Sequence, residues 1–318
     1  MAVIVLIHGI AQEQYAPDSL EREWLPALAG GVRTAGFTDI ADRLWRGQGG
    51  PGAIQTRMAF YGHLFRRPGI QGDASEEFSA EEERVAEQLA ETWLENAVSR
   101  ASRPKEKETA VRELSYVRHE VGKEEAGTGA VARKAIHSLS RLRWFAPWGM
   151  AFAQRFVNRA LSQVTRYLTD DAIRSAALKS VLDLVGPETK VLIGHSLGSV
   201  VAYEAVHLLH QPLDLLLTLG SPLGLQNIVY QRLRPQPPTF PAGLRRWVNV
   251  ADREDFIAAE PDLKSIFSTG ISPESVFEAT YTIDNGAEPH RADFYLTTVE
   301  AGKPVGQVLS AAAQSLVS

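Results

Sequence analysis

Residues Lys190–Tyr203, KVLIGHSLGSVVAY, decide the fold. Val191, Leu192 and Ile193 form a short all-apolar run, the pattern of a central parallel strand covered on both faces. The turn Gly194-His195-Ser196-Leu197-Gly198 follows at once, and beyond it Val200, Val201, Ala205, Leu208 and Leu209 recur at helical spacing. A buried strand, a sharp turn and a helix in direct succession predict an α/β chain with Ser196 at the C-terminal end of an inner strand.

Chemistry explains that spacing. A serine hydroxyl becomes a useful nucleophile when it projects above the sheet edge toward a base and an electrophile, and a tight turn achieves this through a strained, left-handed backbone. Gly194 and Gly198 stand two residues either side of Ser196, where a side chain would meet the strand or helix crossing close by. The helix start presents the Leu197 N–H and a positive dipole end to a developing oxyanion. The competing reading is a Gly-rich turn whose serine merely caps the helix. The strand before and the helix after favour the nucleophile.

GHSLGS at 194–199, taken with LIHGI at 6–10, LGSPLG at 219–224, NVADREDFI at 249–257 and EPH at 288–290, resembles the lipase/esterase branch of the α/β-hydrolase superfamily. The resemblance covers residues 1–65 and 180–300. It implies an α/β-hydrolase fold, a mostly parallel sheet flanked by helices that lacks the usual first two antiparallel strands. It also implies that the loop opened by His8-Gly9 supplies a second oxyanion N–H, from Ile10 or a close neighbour. His8 precedes the nucleophile and reads as a loop-orienting residue rather than the base.

The same resemblance orders the rest of the site as serine, acid, histidine. After the expected strand Trp247–Ala251 the acid is Asp255, followed by an apolar pair as is usual in the superfamily, with Asp252 as the alternative. The unused one would cap the turn or the next helix. His290 is the only histidine beyond the elbow helix, following the expected strand Ala279–Ile283, and is the expected base. His195 is expected to support the turn. His207 and His210 share a helical face but have no acidic or cysteine companion, so no metal is expected there.

Composition narrows the function classes. In 318 residues, 44% hydrophobic, 33 Lys and Arg against 38 Asp and Glu leave a net charge of −5, which gives no global reason to bind nucleic acid. There is no cysteine, which excludes disulfides, thiolate metal sites and a cysteine nucleophile. AVIVLI, directly after Met1, has no basic n-region and is too short for a membrane span, so a cytoplasmic enzyme is expected. Gly47–Gly52 satisfies a dinucleotide-binding fingerprint on paper, but no apolar strand leads into it and no helix follows, so it reads as a loop.

Two parts are expected: a core of residues 1–65 and 170–318, and a helical cap or lid over 66–169. Within the insertion, Gly69–Ala74 reads as a linker, Ser79-Ala80-Glu81-Glu82 as a capping box, and helical patterns recur at 106–121 and 131–143. Residues 131–169 hold seven Arg or Lys and no Asp or Glu, with one apolar helical face through Ala153, Val157, Leu161, Val164 and Leu168. Burial of that face with the arginines in water is preferred. A weak contact with a membrane surface through 144–168 is the other reading, and WFAPWGM at 144–150 is the better lid candidate.

The functional expectation is a serine hydrolase that cleaves a carboxylic ester on a small or lipid-like acyl substrate, with no cofactor. A peptidase, thioesterase or acyltransferase could use the same residues, and a binding protein on this fold is the non-catalytic alternative.

Overall fold

The computed structural model describes residues 2–66, 79–121, 137–142, 150–258, 260, 262–286 and 288–314. Six strands form one sheet: β1 (Ile4–Ile7), β2 (Thr56–Ala59), β3 (Val191–His195), β4 (Leu215–Leu219), β5 (Arg246–Asp252) and β6 (Val276–Ile283). Their order is β2-β1-β3-β4-β5-β6 and every pairing is parallel. The chain is therefore α/β in class, a wholly parallel sheet among the described residues with helices on both faces.

The apolar runs read in the sequence become strands buried on both sides, because alternate residues face opposite layers. Ile4, Leu6, Val191, Ile193, Leu215 and Leu217 point to the layer containing α1 (Pro17–Thr34) and α2 (Thr38–Leu44), together with the C-terminal helices α9 (Ala292–Leu296) and α10 (Val299–Gln314). Val5, Ile7, Leu192 and Leu216 point the other way, toward α3 (Ala80–Arg100), α4 (Pro104–Val121), α5 (Met150–Thr169), α6 (Asp171–Leu182) and α7 (Leu197–Val206). A short α8 (Leu263–Phe267) lies between β5 and β6.

The strand order fixes where a site can form. From β1 the chain moves outward to β2, and it returns as β3 on the other side of β1. The strand order thus reverses between β1 and β3, and the crevice beyond the carboxyl ends of those two strands is the usual ligand position in an open α/β sheet. His8 and Ser196 stand at those two ends.

The insertion helices share one hydrophobic cluster with the sheet: Val85, Leu89, Trp93, Val157 and Leu161 pack in continuity with Ile7 and Leu192. The expected capping box is formed, with Ser79 Oγ accepting from the Glu82 N–H at 3.3 Å and the Glu82 carboxylate accepting from the Ser79 N–H at 2.7 Å. The apolar face of α5 is buried, and Arg159 and Arg166 face carboxylates of this chain, Glu13 at 3.2 Å and Glu82 at 3.8 Å. The linker 69–74, most of the helical pattern 131–143 and the side chains of WFAPWGM lie outside the described residues. Among the described residues, no helix is long and apolar enough to cross a membrane.

The sequence run Met58–Tyr61 reads as a strand, and β2 begins and ends two residues earlier. The apolar pattern continues through Tyr61, but its N–H leaves the ladder and donates to His8 Nε2 at 3.1 Å. A side-chain acceptor has taken the place of a strand partner. Helices α2, α8, α9 and α10 have no counterpart among the expected elements, and Gly47–Gly52 is a run of turns between α2 and β2.

Candidate active site

Ser196 occupies the turn between β3 and α7 with φ +53° and ψ −128°, a conformation that non-glycine residues avoid. Its surroundings hold it there. The Ser196 N–H donates to Leu219 O at 3.0 Å, and Ser199 Oγ donates to Ser196 O at 2.6 Å. A Cβ at Gly194 would lie 2.5 Å from Gly198 O and 2.7 Å from Ser199 Cα, and one at Gly198 would overlap the carbonyl oxygens of Ile7 and His8. Both glycines are therefore required by the closeness of α7 to β1 and β3. A third is Gly9, where a Cβ would stand 2.8 Å from Ser196 Cβ.

The loop after β1 is locked by His8. The His8 Nδ1–H donates to Gly9 O at 2.7 Å while Nε2 accepts from Tyr61 N–H, so both ring nitrogens are engaged in the neutral form. Burial lowers its pKa to about 4, and the ring stacks on Tyr61 with centroids 4.2 Å apart. It orients the loop, in line with the sequence reading. Ile10 is buried and precedes Ala11, which adopts φ +59°. Leu197 is the first residue of α7, so its N–H has no acceptor within the helix.

On the opposite side, His290 and Asp255 meet. The His290 Nδ1–H donates to Asp255 Oδ2 at 2.7 Å. Asp255 is fully buried, and its other oxygen, Oδ1, accepts from the N–H groups of Ile257 at 3.0 Å and Ala258 at 3.3 Å. Burial alone would push this carboxyl up. The His290 charge and the hydrogen bonds from His290, Tyr295 and Ile257 outweigh it and hold the pKa below the ordinary value, so the group is a carboxylate.

Asp252 makes different contacts. Its oxygens accept from the N–H groups of Glu254 at 2.7 Å and of Asn285, which closes the two loops together. Burial raises it to about 6 despite these bonds. Of the two acids read from the sequence, Asp255 is the one against His290, and Asp252 caps the turn.

Several residues of this half carry no signal in the sequence. Tyr295 Oη donates to Asp255 Oδ2 at 2.7 Å and accepts from Asp252 N–H at 2.9 Å, a bridge between the strand end and the carboxylate. Arg100 Nη1, at the end of α3, donates to Asp255 O at 2.6 Å, and Asn96 Nδ2 donates to Phe256 O at 3.0 Å. Gly220, at φ +52°, has no side chain where a Cβ would lie 2.8 Å from Asp255 Oδ2 and 3.1 Å from His290 Nδ1.

His195 joins the two halves. Its Nε2–H donates to His290 O at 2.8 Å, and the two rings lie 4.6 Å apart. The residue before Ser196 thus anchors the backbone of His290. Burial and the neighbouring His290 lower His195 to about 3, so it is a neutral strut. Beside these residues opens a cavity of about 160 Å³ with Ile10, Trp24, Phe156 and Ile257 as apolar walls and His195 and His290 among its polar ones. Glu23, Glu288, Arg291 and Asp293 form its charged side.

This arrangement places beside one cavity a histidine that is fixed by a buried carboxylate and joined through His195 to the strained turn of Ser196. Such a set can carry out proton-assisted nucleophilic attack. Among the described residues no group of three His, Asp or Glu side chains is placed to hold a metal ion. Compared with protein-family models, with curated proteins and with solved structures, the chain matches none.

Proposed function

We propose that the protein is a serine hydrolase of the α/β-hydrolase type that cleaves carboxylic esters. The observation that carries this reading is the buried Asp255–His290 pair, 2.7 Å between Oδ2 and Nδ1, tied through His195 to the turn that holds Ser196 at φ +53°. A merely capping serine needs neither the strain nor the pair.

The reaction balances with water alone. His290 takes the Ser196 proton as Oγ attacks the ester carbonyl, and Asp255 holds the imidazole tautomer and stabilises the imidazolium. The Leu197 and Ile10 N–H groups receive the oxyanion, each donor lowering the barrier by roughly 3 kcal/mol. Collapse expels the alcohol with the proton from His290 and leaves an acyl-serine. Water, deprotonated by the same histidine, then releases the acid and restores Ser196. A thioester or amide would pass through the same steps.

The substrate is a small or lipid-like acyl compound. The wall of Ile10, Trp24, Phe156 and Ile257 suits an apolar acyl chain, and the charged side of the cavity suits the polar remainder. A series of p-nitrophenyl esters of increasing chain length tests this, measured for the wild type and for Ser196→Ala and His290→Ala. Hydrolysis that falls by about 10³-fold or more in both variants supports the reading. Hydrolysis at the wild-type rate in either folded variant removes it.

A further inference from the structure

The insertion helix α5 reaches the loop that carries Ile10, and it does so through one polar side chain. Gln163 is only 5% exposed and lies one helical turn from Arg159. Its Oε1 accepts from the Ala11 N–H at 2.8 Å, and its Nε2 donates to Glu13 Oε2 at 2.8 Å. The partners define the amide orientation, since an N–H needs the oxygen and a carboxylate needs the nitrogen. Glu13, also 5% exposed, is completed by Arg159 at 3.2 Å, and Arg66 Nε donates to its carbonyl.

Ala11 has no glycine's freedom, yet it stands at φ +59°. That conformation is disfavoured for an L side chain and needs an outside partner to hold it. The Gln163 bond is such a partner. By taking the Ala11 N–H, it fixes the peptide unit that directly follows Ile10, the residue whose N–H the proposed mechanism uses.

We infer that Gln163 is a positioning residue for the oxyanion-binding loop, holding Ala11 in its left-handed conformation from the insertion helix. The inference rests on the serine-hydrolase reading and adds to it a role for residues 150–169. Helix α5 then acts as a fixed part of the reaction site, and the loop after β1 is preset before substrate arrives.

The test uses the full chain, with p-nitrophenyl butyrate for steady-state rates and a fluorophosphonate for the rate of Ser196 labelling. Gln163→Ala, or Gln163→Met to fill the same space without an acceptor, is expected to lower kcat and the labelling rate about tenfold. KM should move by less than about threefold, since the lost alignment matters most in the transition state. The double variant Glu13→Gln, Gln163→Glu exchanges donor and acceptor while keeping one carboxylate and the acceptor for Ala11. It should recover most of the loss. A merely structural Gln163 would lower thermal stability and leave the rate per folded molecule unchanged.

Wild-type rates in either single variant overturn the inference, as does a tenfold loss that persists in the exchanged pair. If neither single variant folds, the exchanged pair decides: retained rates support the inference, and a tenfold loss overturns it. A wild type that the fluorophosphonate does not label at Ser196 sinks the serine-hydrolase reading itself, and this inference with it.

Discussion

The two halves of the site are built in different ways. The Ser196 half is local: five consecutive residues, 194–198, with a glycine at each end, set the backbone, and removal of either glycine collides with main chain. The Asp255–His290 half is assembled from distant parts. Arg100 holds the Asp255 carbonyl, Tyr295 holds its carboxylate, Gly220 makes room for both groups, and His195 holds the His290 backbone. A local motif fixes the serine, whereas contacts across the sequence fix the Asp255–His290 pair. The first half should therefore fail by misfolding when its glycines change, and the second by losing rate while the fold survives.

The sharpest test of this contrast lies within the second half. Asp255→Asn keeps the shape and removes the charge facing His290, so kcat/KM for an ester should fall by about 10³- to 10⁴-fold. Asp252→Asn, three residues earlier, should cost less than about tenfold, because its oxygens accept only main-chain N–H groups. Steady-state kinetics on both variants checks it, and equal losses would break the distinction between the two carboxylates.

Next in size is Gly198→Ala. The new methyl would overlap the Ile7 and His8 carbonyl oxygens, so β1 and α7 must separate. Stability should fall by about 3 kcal/mol or more, read from urea unfolding. Gly220→Ala should instead act mainly on rate, since its methyl would press on the Asp255–His290 contact.

Tyr295→Phe should have a smaller effect. It leaves the buried Asp252 N–H and one acceptor position of Asp255 without the hydroxyl, at about 1–3 kcal/mol of stability. It also removes one of the bonds that hold the Asp255 pKa down, so kcat should fall while KM stays close to the wild-type value.

The smallest effect concerns pH. His8 is held neutral by burial, with its pKa lowered from 6.5 to about 4. As pH falls from 7 to 6 the unfolded chain takes up the proton and the folded chain does not, so this residue removes roughly 0.7 kcal/mol of stability over that unit. The change in stability between the two pH values, read from urea unfolding, should be smaller by that amount in His8→Asn, with the contributions of His195 and Asp252 left in place.

Much of this architecture is legible in the sequence alone. The run Val191–Ile193, its turn and the following helix read directly, because a both-face-buried strand next to a glycine-bounded turn leaves few alternatives. What points to His290, and to Asp255 ahead of Asp252, is the resemblance to a family rather than the local pattern; the structure brings those two side chains together. Tyr295, Gly220, Gln163 and Arg100 are not legible. Each matters through a residue far away in the chain: Gln163 meets Ala11 across 152 positions, and Arg100 meets Asp255 across 155. Nothing in the local pattern of α5 separates Gln163 from any other polar residue on a helix. The end of β2 departs from its expected place for the same reason, since the ring of His8 stands 53 positions from the Tyr61 N–H it engages.

The measurement that bears most directly on the account is fluorophosphonate labelling of the purified chain, read by intact mass and peptide mapping. The account predicts one adduct, on Ser196, that is absent in Ser196→Ala and forms at least about 10³-fold more slowly in His290→Ala. A folded wild-type protein that takes up no label, or that is labelled at another residue, would contradict it.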